Sequence, residues 1–256
     1  MAMTREQTWL LQEKYGGEKS SDFYADCKRL ALGEPLGYVI GWVPFLNTRI
    51  HLDSHPLIPR PETEHWIAEA IESLLRHTTP TLGLNDTEPL HILDLCAGSG
   101  CIGVAVLHSI PQAHVTFAEL DASHLPTIEA NCRAQSIDPA RYTIVQSDCF
   151  RKLPEIRFDT ILSNPPYIDA KLDRVESSVE QYEPALALYG GARGLQLIER
   201  IITESPEYLR TGGTLWLEHE PEQVPAISEL ARHQGFHITT YPDQYQIPRY
   251  SVLLLQ

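Results

Sequence analysis

Apolar positions along this chain recur with two different periods. From residue 91 onward, short apolar runs alternate with longer stretches whose apolar residues fall three and four apart. The runs at 91–95, 114–119, 142–146, 158–163, 214–218, 236–241 and 250–255 predict strands. The stretches at 101–109, 122–135, 194–209 and 222–233 predict helices. That alternation predicts a doubly wound, mostly parallel sheet of seven strands. The last two strands are joined by 242–249 without a helix, so the last strand is expected to run antiparallel.

The first forty residues read as short helices. Trp9, Leu10 and Leu11 form an apolar patch in 4–15, and Ser21 is placed to cap a second helix ending at 32, before Gly33-Glu34-Pro35. Residues 38–57 are rich in β-branched and aromatic types, broken by Pro44 and Asn47-Thr48, and predict a β-hairpin. Pro61 suits the first turn of a helix running to 76, with Glu62 and Glu64 at its positive end, and 78–89 reads as a loop. The expected organisation is a small N-terminal helical domain (1–40), a β-hairpin linker (41–59) and a large α/β domain (60–256).

Composition narrows the setting. Hydrophobic residues make up 43% of 256, enough for a substantial core, and no apolar run approaches a membrane span. The first twenty residues lack an apolar signal core and carry Glu6, Glu13 and Glu18, so a cytoplasmic protein without membrane attachment is expected. The five cysteines are odd in number and form no CxxC pair, which reads as reduced thiols and no metal site. A net charge of −14 with no basic stripe argues against stable nucleic-acid binding.

The first predicted strand of the large domain runs into Asp94-Leu95-Cys96-Ala97-Gly98-Ser99-Gly100, and Gly98, Gly100 and Gly103 satisfy GxGxxG between strand and helix. Glycines there let the backbone approach a ligand and let the helix pack closely on the sheet. Glu119 ends the second strand, where an acid binds ribose hydroxyls. The pattern indicates a Rossmann-like fold with a nucleoside-bearing cofactor, either a dinucleotide or S-adenosylmethionine. Asp94 favours the latter: an acid before the loop repels a pyrophosphate and attracts a sulfonium or an amino group. It also suits a loop cap. Asp148, after the third strand, is placed to accept from an adenine amino group, with Phe150 as an apolar wall.

Strand four ends in Asn164-Pro165-Pro166-Tyr167. Neither proline has an N–H, yet each keeps its carbonyl, so the segment accepts hydrogen bonds and donates few. Pro165 biases Asn164 towards extended backbone. Such a pocket suits a planar –NH2 group: the Asn164 side-chain oxygen and the Pro165 carbonyl each take one N–H, and Tyr167 stacks on the flat group. Beside the cofactor loop, this implies methyl transfer to an sp2 nitrogen by in-line displacement. Asn164, Pro165 and Tyr167 are the catalytic candidates, and Asn164, Pro165, Pro166 and Tyr167 form the substrate pocket.

These residues resemble the amino-directed methyltransferases, which include adenine-N6 and glutamine-N5 enzymes. Three further stretches narrow the resemblance: Gly33-Glu34-Pro35-Leu36-Gly37-Tyr38-Val39-Ile40-Gly41, Leu57-Ile58-Pro59-Arg60-Pro61-Glu62-Thr63-Glu64, and Glu183-Pro184-Ala185-Leu186-Ala187-Leu188 followed by Gly190-Gly191 and Gly194-Leu195. With Leu217-Glu218-His219 and Arg249, they resemble the peptide chain release factor glutamine N5-methyltransferases, class I S-adenosylmethionine-dependent enzymes, over roughly 34–255. The resemblance implies S-adenosylmethionine held by Cys96, Ala97, Gly98, Ser99, Gly100, Glu119, Cys149 and Asn164, to which the reading of the residues adds Asp94 and Asp148 as cofactor-binding candidates. It implies a release factor as protein substrate, the glutamine of its GGQ loop entering at Asn164–Tyr167; a monomer is expected. The chain departs from the family with Cys96 in place of Gly, Glu119 in place of Asp, Cys149 where some members carry an aromatic, and a shorter helical N-terminus. Three rival readings are an adenine-N6 methyltransferase acting on DNA or RNA, a nicotinamide oxidoreductase and a catalytically silent binding module.

Overall fold

The computed structural model describes residues 3–78, 89–172 and 174–256. Helix α1 (Arg5–Glu13) opens with a reciprocal cap, in which the Thr4 side chain accepts from the Gln7 N–H and the Gln7 side chain accepts from the Thr4 N–H. Helix α2 (Ser21–Ala31) is capped by Ser20 rather than Ser21: Ser20 has the extended backbone that points its Oγ at the Phe23 N–H, 3.2 Å away. A third helical turn, α3 (Leu36–Ile40), occupies residues that the sequence pattern assigns to the start of the hairpin. It begins after Pro35 and ends at Gly41, whose φ of 96° only glycine adopts freely. The three helices bury Leu10, Leu11, Phe23 and Val39 in a small core of their own.

Strands β1 (Trp42–Phe45) and β2 (Thr48–His51) form the antiparallel hairpin, shorter than 38–57 at both ends. Helix α4 (Pro61–Thr78) follows with proline at its first position. Most of the loop expected at 78–89 lies outside the described residues.

The main sheet contains β3 (Leu90–Leu95), β4 (Ala113–Glu119), β5 (Tyr142–Gln146), β6 (Phe158–Ser163), β7 (Leu209–Glu218), β8 (Phe236–Pro242) and β9 (Pro248–Leu255), in the order β5-β4-β3-β6-β7-β9-β8. Strands β3 to β7 pair in parallel; β9 lies antiparallel between β7 and β8. Helices α5 (Cys101–Ser109), α6 (Leu125–Ala134), α7 (Ser177–Tyr182), α8 (Ala185–Leu188), α9 (Gln196–Glu204) and α10 (Val224–His233) complete the described elements.

Two expectations for this domain change. The single helix expected over 194–209 is α9 flanked by short 3-10 turns, and Leu209 already belongs to β7, where it pairs with Phe158. Gly212 and Gly213 disguise this stretch as a turn in the sequence, because glycine adds nothing to an apolar alternation. Helices α7 and α8, with six and four residues, are too short to show a period.

Alternation along the central strands builds two apolar layers. Ile92, Leu162 and Trp216 face α4 and α5, together with Trp66, Ile67 and Val104. Their neighbours Leu93, Ile161, Leu215 and Leu217 face α9 and α10, together with Ile198, Ile201, Ile202 and Ile227. The strand order reverses between β3 and β6, and a doubly wound sheet opens a crevice at its strand ends there.

Candidate active site

The loops after β3 and β6 flank that crevice, and Ser163 ties them by donating its hydroxyl to the Leu95 carbonyl at 2.8 Å. The cleft encloses about 1000 Å³ of space free of protein atoms, open to solvent. Its walls include Cys96, Ala97, Gly98, Ser99, Glu119, Asp148, Cys149, Asn164 and Pro166. Those positions lie far apart in the sequence, and the sheet brings them to one rim.

The glycines divide their work. A side chain on Gly98 would meet nothing within 4 Å, so the loop backbone is open to a ligand there. Gly100 and Gly103 face the interior: a Cβ on Gly100 would lie 3.0 Å from Ile128, and one on Gly103 would lie 2.3 Å from the Phe117 ring. They allow α5 to pack on the sheet and are not part of the cleft wall. Asp94 also stands behind the loop. It is fully buried; its Oδ2 accepts the Gly103 N–H at 2.8 Å, while Oδ1 has no partner among the described residues. Burial pushes its carboxyl up to about 8. Asp94 thus caps the loop from behind and is not among the residues lining the cleft.

Glu119 is nearly buried at the end of β4, and its two oxygens accept the Gly98 N–H at 2.7 Å and the Asp121 N–H at 2.8 Å. Each carboxylate oxygen keeps a further lone pair for a hydroxyl. Asp148 sits on the rim, but Arg200 and Arg151 both engage its carboxylate. Phe150 does not form the apolar wall expected of it. It is 1% exposed and stacks on Tyr208 at 4.6 Å, inside the core. Leu120, Leu197 and Cys149 line the cleft instead.

Cys96 and Cys149 adopt left-handed backbone, with φ of 63° and 50°. Their thiols hydrogen-bond, which together with burial raises the Cys96 thiol well above its usual range. Burial lifts Cys101 to about 12. Cys96 and Cys101 are poor nucleophiles in this setting, whereas the bond from Cys96 lowers the Cys149 thiol.

Asn164 sits at the boundary of two cavities. It lines the cleft and also a second hollow with Arg60, Pro165, Tyr167, Ile168 and Arg174. The four residues of the Asn-Pro-Pro-Tyr segment are therefore shared out: Pro166 faces the cleft, Pro165 and Tyr167 face the hollow, and Asn164 faces both. The Tyr167 hydroxyl donates to Glu218 Oε1 at 2.9 Å, which anchors the outer edge of its ring.

Two glycines downstream brace this segment from behind. A Cβ on Gly190 would lie 2.4 Å from the Pro166 carbonyl oxygen, and one on Gly194 would lie 1.8 Å from that of Tyr167. The Gln223 side chain donates to the same Tyr167 carbonyl at 2.9 Å. Glu183, between α7 and α8, accepts the Ile58 N–H at 3.0 Å and pairs with Arg60 at 2.6 Å, joining the 57–60 segment to that link.

Thr63, Trp66 and Glu218 escape a reading of single motifs. Thr63 lines the cleft and accepts from Asn164 Nδ2 at 2.9 Å. Glu218, wholly buried at the end of β7, accepts from Thr63 and Trp66 at 2.7 Å each. Burial raises its carboxyl above the ordinary range despite three donors. Thr63 and Glu218 stand in two of the family-like stretches, but their contact spans 155 positions and has no local signature.

The chain is similar to several known methyltransferases. The family profile described as "Methyltransferase small domain" matches residues 74–182. A release factor glutamine methyltransferase from Rhodopirellula baltica is 34% identical over 210 residues, covering 81% of this chain and 69% of the relative. Its counterpart from Streptococcus pneumoniae is 34% identical over 239 residues, covering 92% and 80%. The one from Bordetella pertussis is 36% identical over 209 residues, covering 81% and 72%. Among solved structures, a methyltransferase from Pyrococcus furiosus superposes with a TM-score of 0.59 at 14% identity, covering 90% of this chain and 97% of that one. The T. thermophilus 16S rRNA N2 G1207 methyltransferase, in complex with AdoMet and guanosine, superposes with a TM-score of 0.53 at 19% identity, covering 84% and 49%. Both are likenesses of fold. With its sheet order, its glycine loop and an Asn-Pro-Pro-Tyr segment at the strand switch, the chain belongs to the release factor glutamine methyltransferase family.

Proposed function

We propose that this protein transfers a methyl group from S-adenosylmethionine to the side-chain amide nitrogen of the glutamine in the GGQ motif of a peptide chain release factor. The observation that carries this reading is the position of Asn164, which borders the cleft on one side and the second hollow on the other. A nitrogen held at that boundary would stand between the two spaces.

The residues present suit the cofactor. Glu119 keeps lone pairs for ribose hydroxyls, and the Gly98 backbone leaves room for a ligand against the loop. Cys96, Ala97, Ser99, Asp148 and Cys149 line the same cleft. S-adenosylmethionine supplies the methyl group as an electrophilic carbon on a sulfonium sulfur. The chain's own part is to hold the acceptor. The Asn164 Oδ1 and the Pro165 carbonyl take the two amide N–H bonds, Tyr167 confines the plane of the group, and Pro166 adds no competing donor. An amide nitrogen is a weak nucleophile. Orientation in such a pocket is worth about 7–11 kcal/mol in favourable cases, so no strong base is required.

We assign release-factor contacts to the small domain of α1 to α3, whose surface carries the half-exposed side chains of Trp9 and Tyr24. A monomer in the cytoplasm completes the reading; among the described residues no helix is long and apolar enough to cross a membrane. The test is mass spectrometry of a release factor after incubation with this protein and S-adenosylmethionine. One added methyl on the GGQ glutamine is the expected result. Methylation confined to adenine in added DNA or RNA would overturn the substrate assignment.

A further inference from the structure

We propose that Glu218 and Thr63 are positioning residues that set the direction of the Asn164 amide, so that its oxygen, not its nitrogen, faces the acceptor. The inference rests on the methyl-transfer reading for its consequence but on donor counting for its geometry.

The counting starts at Trp66, whose indole N–H can only donate, so Glu218 Oε2 must accept from it at 2.7 Å. Thr63 Oγ1 lies 2.7 Å from the same oxygen and donates its one proton there. Having spent that proton, the Thr63 hydroxyl can only accept at its remaining contact, Asn164, 2.9 Å away. The group it accepts from is therefore the –NH2 of Asn164. A flipped amide would set two lone pairs against each other. The Asn164 oxygen is thus the atom left for the cavities, which is what an –NH2 acceptor requires.

Glu218 also holds the far end of the segment, because its other oxygen takes the Tyr167 hydroxyl at 2.9 Å. One carboxylate so orients the first and last residues of Asn164–Tyr167. Thr63 and Glu218 are both almost wholly buried, at 2% and 0% exposure, so water does not compete for these bonds. Among the described residues no basic side chain is hydrogen-bonded to Glu218: Arg249 pairs instead with Glu220 and Asp243. Counted as the ionised carboxylate, Glu218 has two oxygens that can only accept from Trp66, Thr63 and Tyr167.

Thr63→Val preserves shape and removes the relay. It should lower kcat by about 100-fold, the scale of a misplaced reacting group, while the dissociation constant for S-adenosylmethionine stays near wild type. Thr63→Ser should recover most of the turnover. Glu218→Gln should also retain most of it, because its amide oxygen can accept from Trp66 and Thr63 while its –NH2 faces the Tyr167 hydroxyl; Glu218→Leu should not. In an Asn164→Ala background, Thr63→Val should cost nothing further, whereas a merely structural role would add its own loss.

A second readout needs no substrate. The chain has four asparagines, so labelling only asparagine side chains with 15N gives four NH2 signals. The Asn164 pair should be slow to exchange in wild type and Glu218→Gln, and fast in Thr63→Val. A wild-type protein inert towards release factors would overturn the proposed substrate and leave this readout to decide the relay. Wild-type turnover in Thr63→Val, or unchanged Asn164 signals in it, would overturn the relay itself.

Discussion

Glu119 accepts the Gly98 amide at 2.7 Å, which ties the acid ending β4 to the open glycine of the loop after β3. The bond makes the shape of the loop and the ribose acceptor one unit. Glu119→Ala should remove both, weakening S-adenosylmethionine by at least about tenfold, the cost of one charge-assisted hydrogen bond. Glu119→Gln, which can still accept from Gly98, should fall between. Titration calorimetry with the cofactor measures both.

Asn164→Ala should leave cofactor affinity nearly intact and cut kcat by about 100-fold or more, because orientation of the acceptor is lost while the cleft wall keeps its other members. Single-turnover rates at saturating cofactor, set beside calorimetry, separate the two effects. Equal loss of both would remove the acceptor role.

Gly194→Ala should damage the acceptor segment from a distance. Its Cβ would fall 1.8 Å from the Tyr167 carbonyl oxygen, and φ at this position is 67°. Backbone, unlike a flexible side chain, yields only by moving Tyr167. The variant should lose about 1–3 kcal/mol in urea unfolding and should lose turnover with little change in cofactor binding.

Cys96 offers a stabilising change. A non-glycine residue at φ of 63° carries a conformational cost that glycine does not. Cys96→Gly trades that strain for chain entropy and should match or exceed wild-type stability, to within about 1 kcal/mol. Cys96→Val, branched at Cβ, should be destabilised by about 1–3 kcal/mol. Urea midpoints at constant m decide both.

His219 predicts a pH dependence. It is fully buried, with Nε2 2.8 Å from Ser251 Oγ and Nδ1 3.0 Å from the Glu220 carbonyl, so Nδ1 carries the proton and Nε2 accepts. Burial lowers its pKa from 6.5 to about 4. Between those values the unfolded chain binds a proton that the folded chain refuses. The stability from this site is therefore whole above pH 6.5 and is lost as pH falls towards about 4, by roughly 3 kcal/mol at most. His219→Gln should flatten that part of the stability curve, measured as the difference between variant and wild type from pH 7 to 4.

The chain's own pattern carried most of the architecture. The alternation from residue 91 was enough for seven strands and the antiparallel ending, because strands buried on both faces are continuous apolar runs. It also located the glycine loop, Glu119 and Asn164–Tyr167, whose chemistry is local: a missing N–H or a missing Cβ is a property of one residue. Where local signals were weak, the reading slipped. Ser20 rather than Ser21 caps α2, α3 replaces the start of the hairpin, and glycines hide the first half of β7.

Only the tertiary structure decided which residues meet. It set Asp94 behind the loop and Phe150 in the core, and it put Asn164 between two cavities. It also joined Thr63 to Glu218 across 155 positions. A strand period says which face a side chain takes; the direction of a hydrogen bond depends on every donor around it, and those arrive from different strands only when the sheet closes.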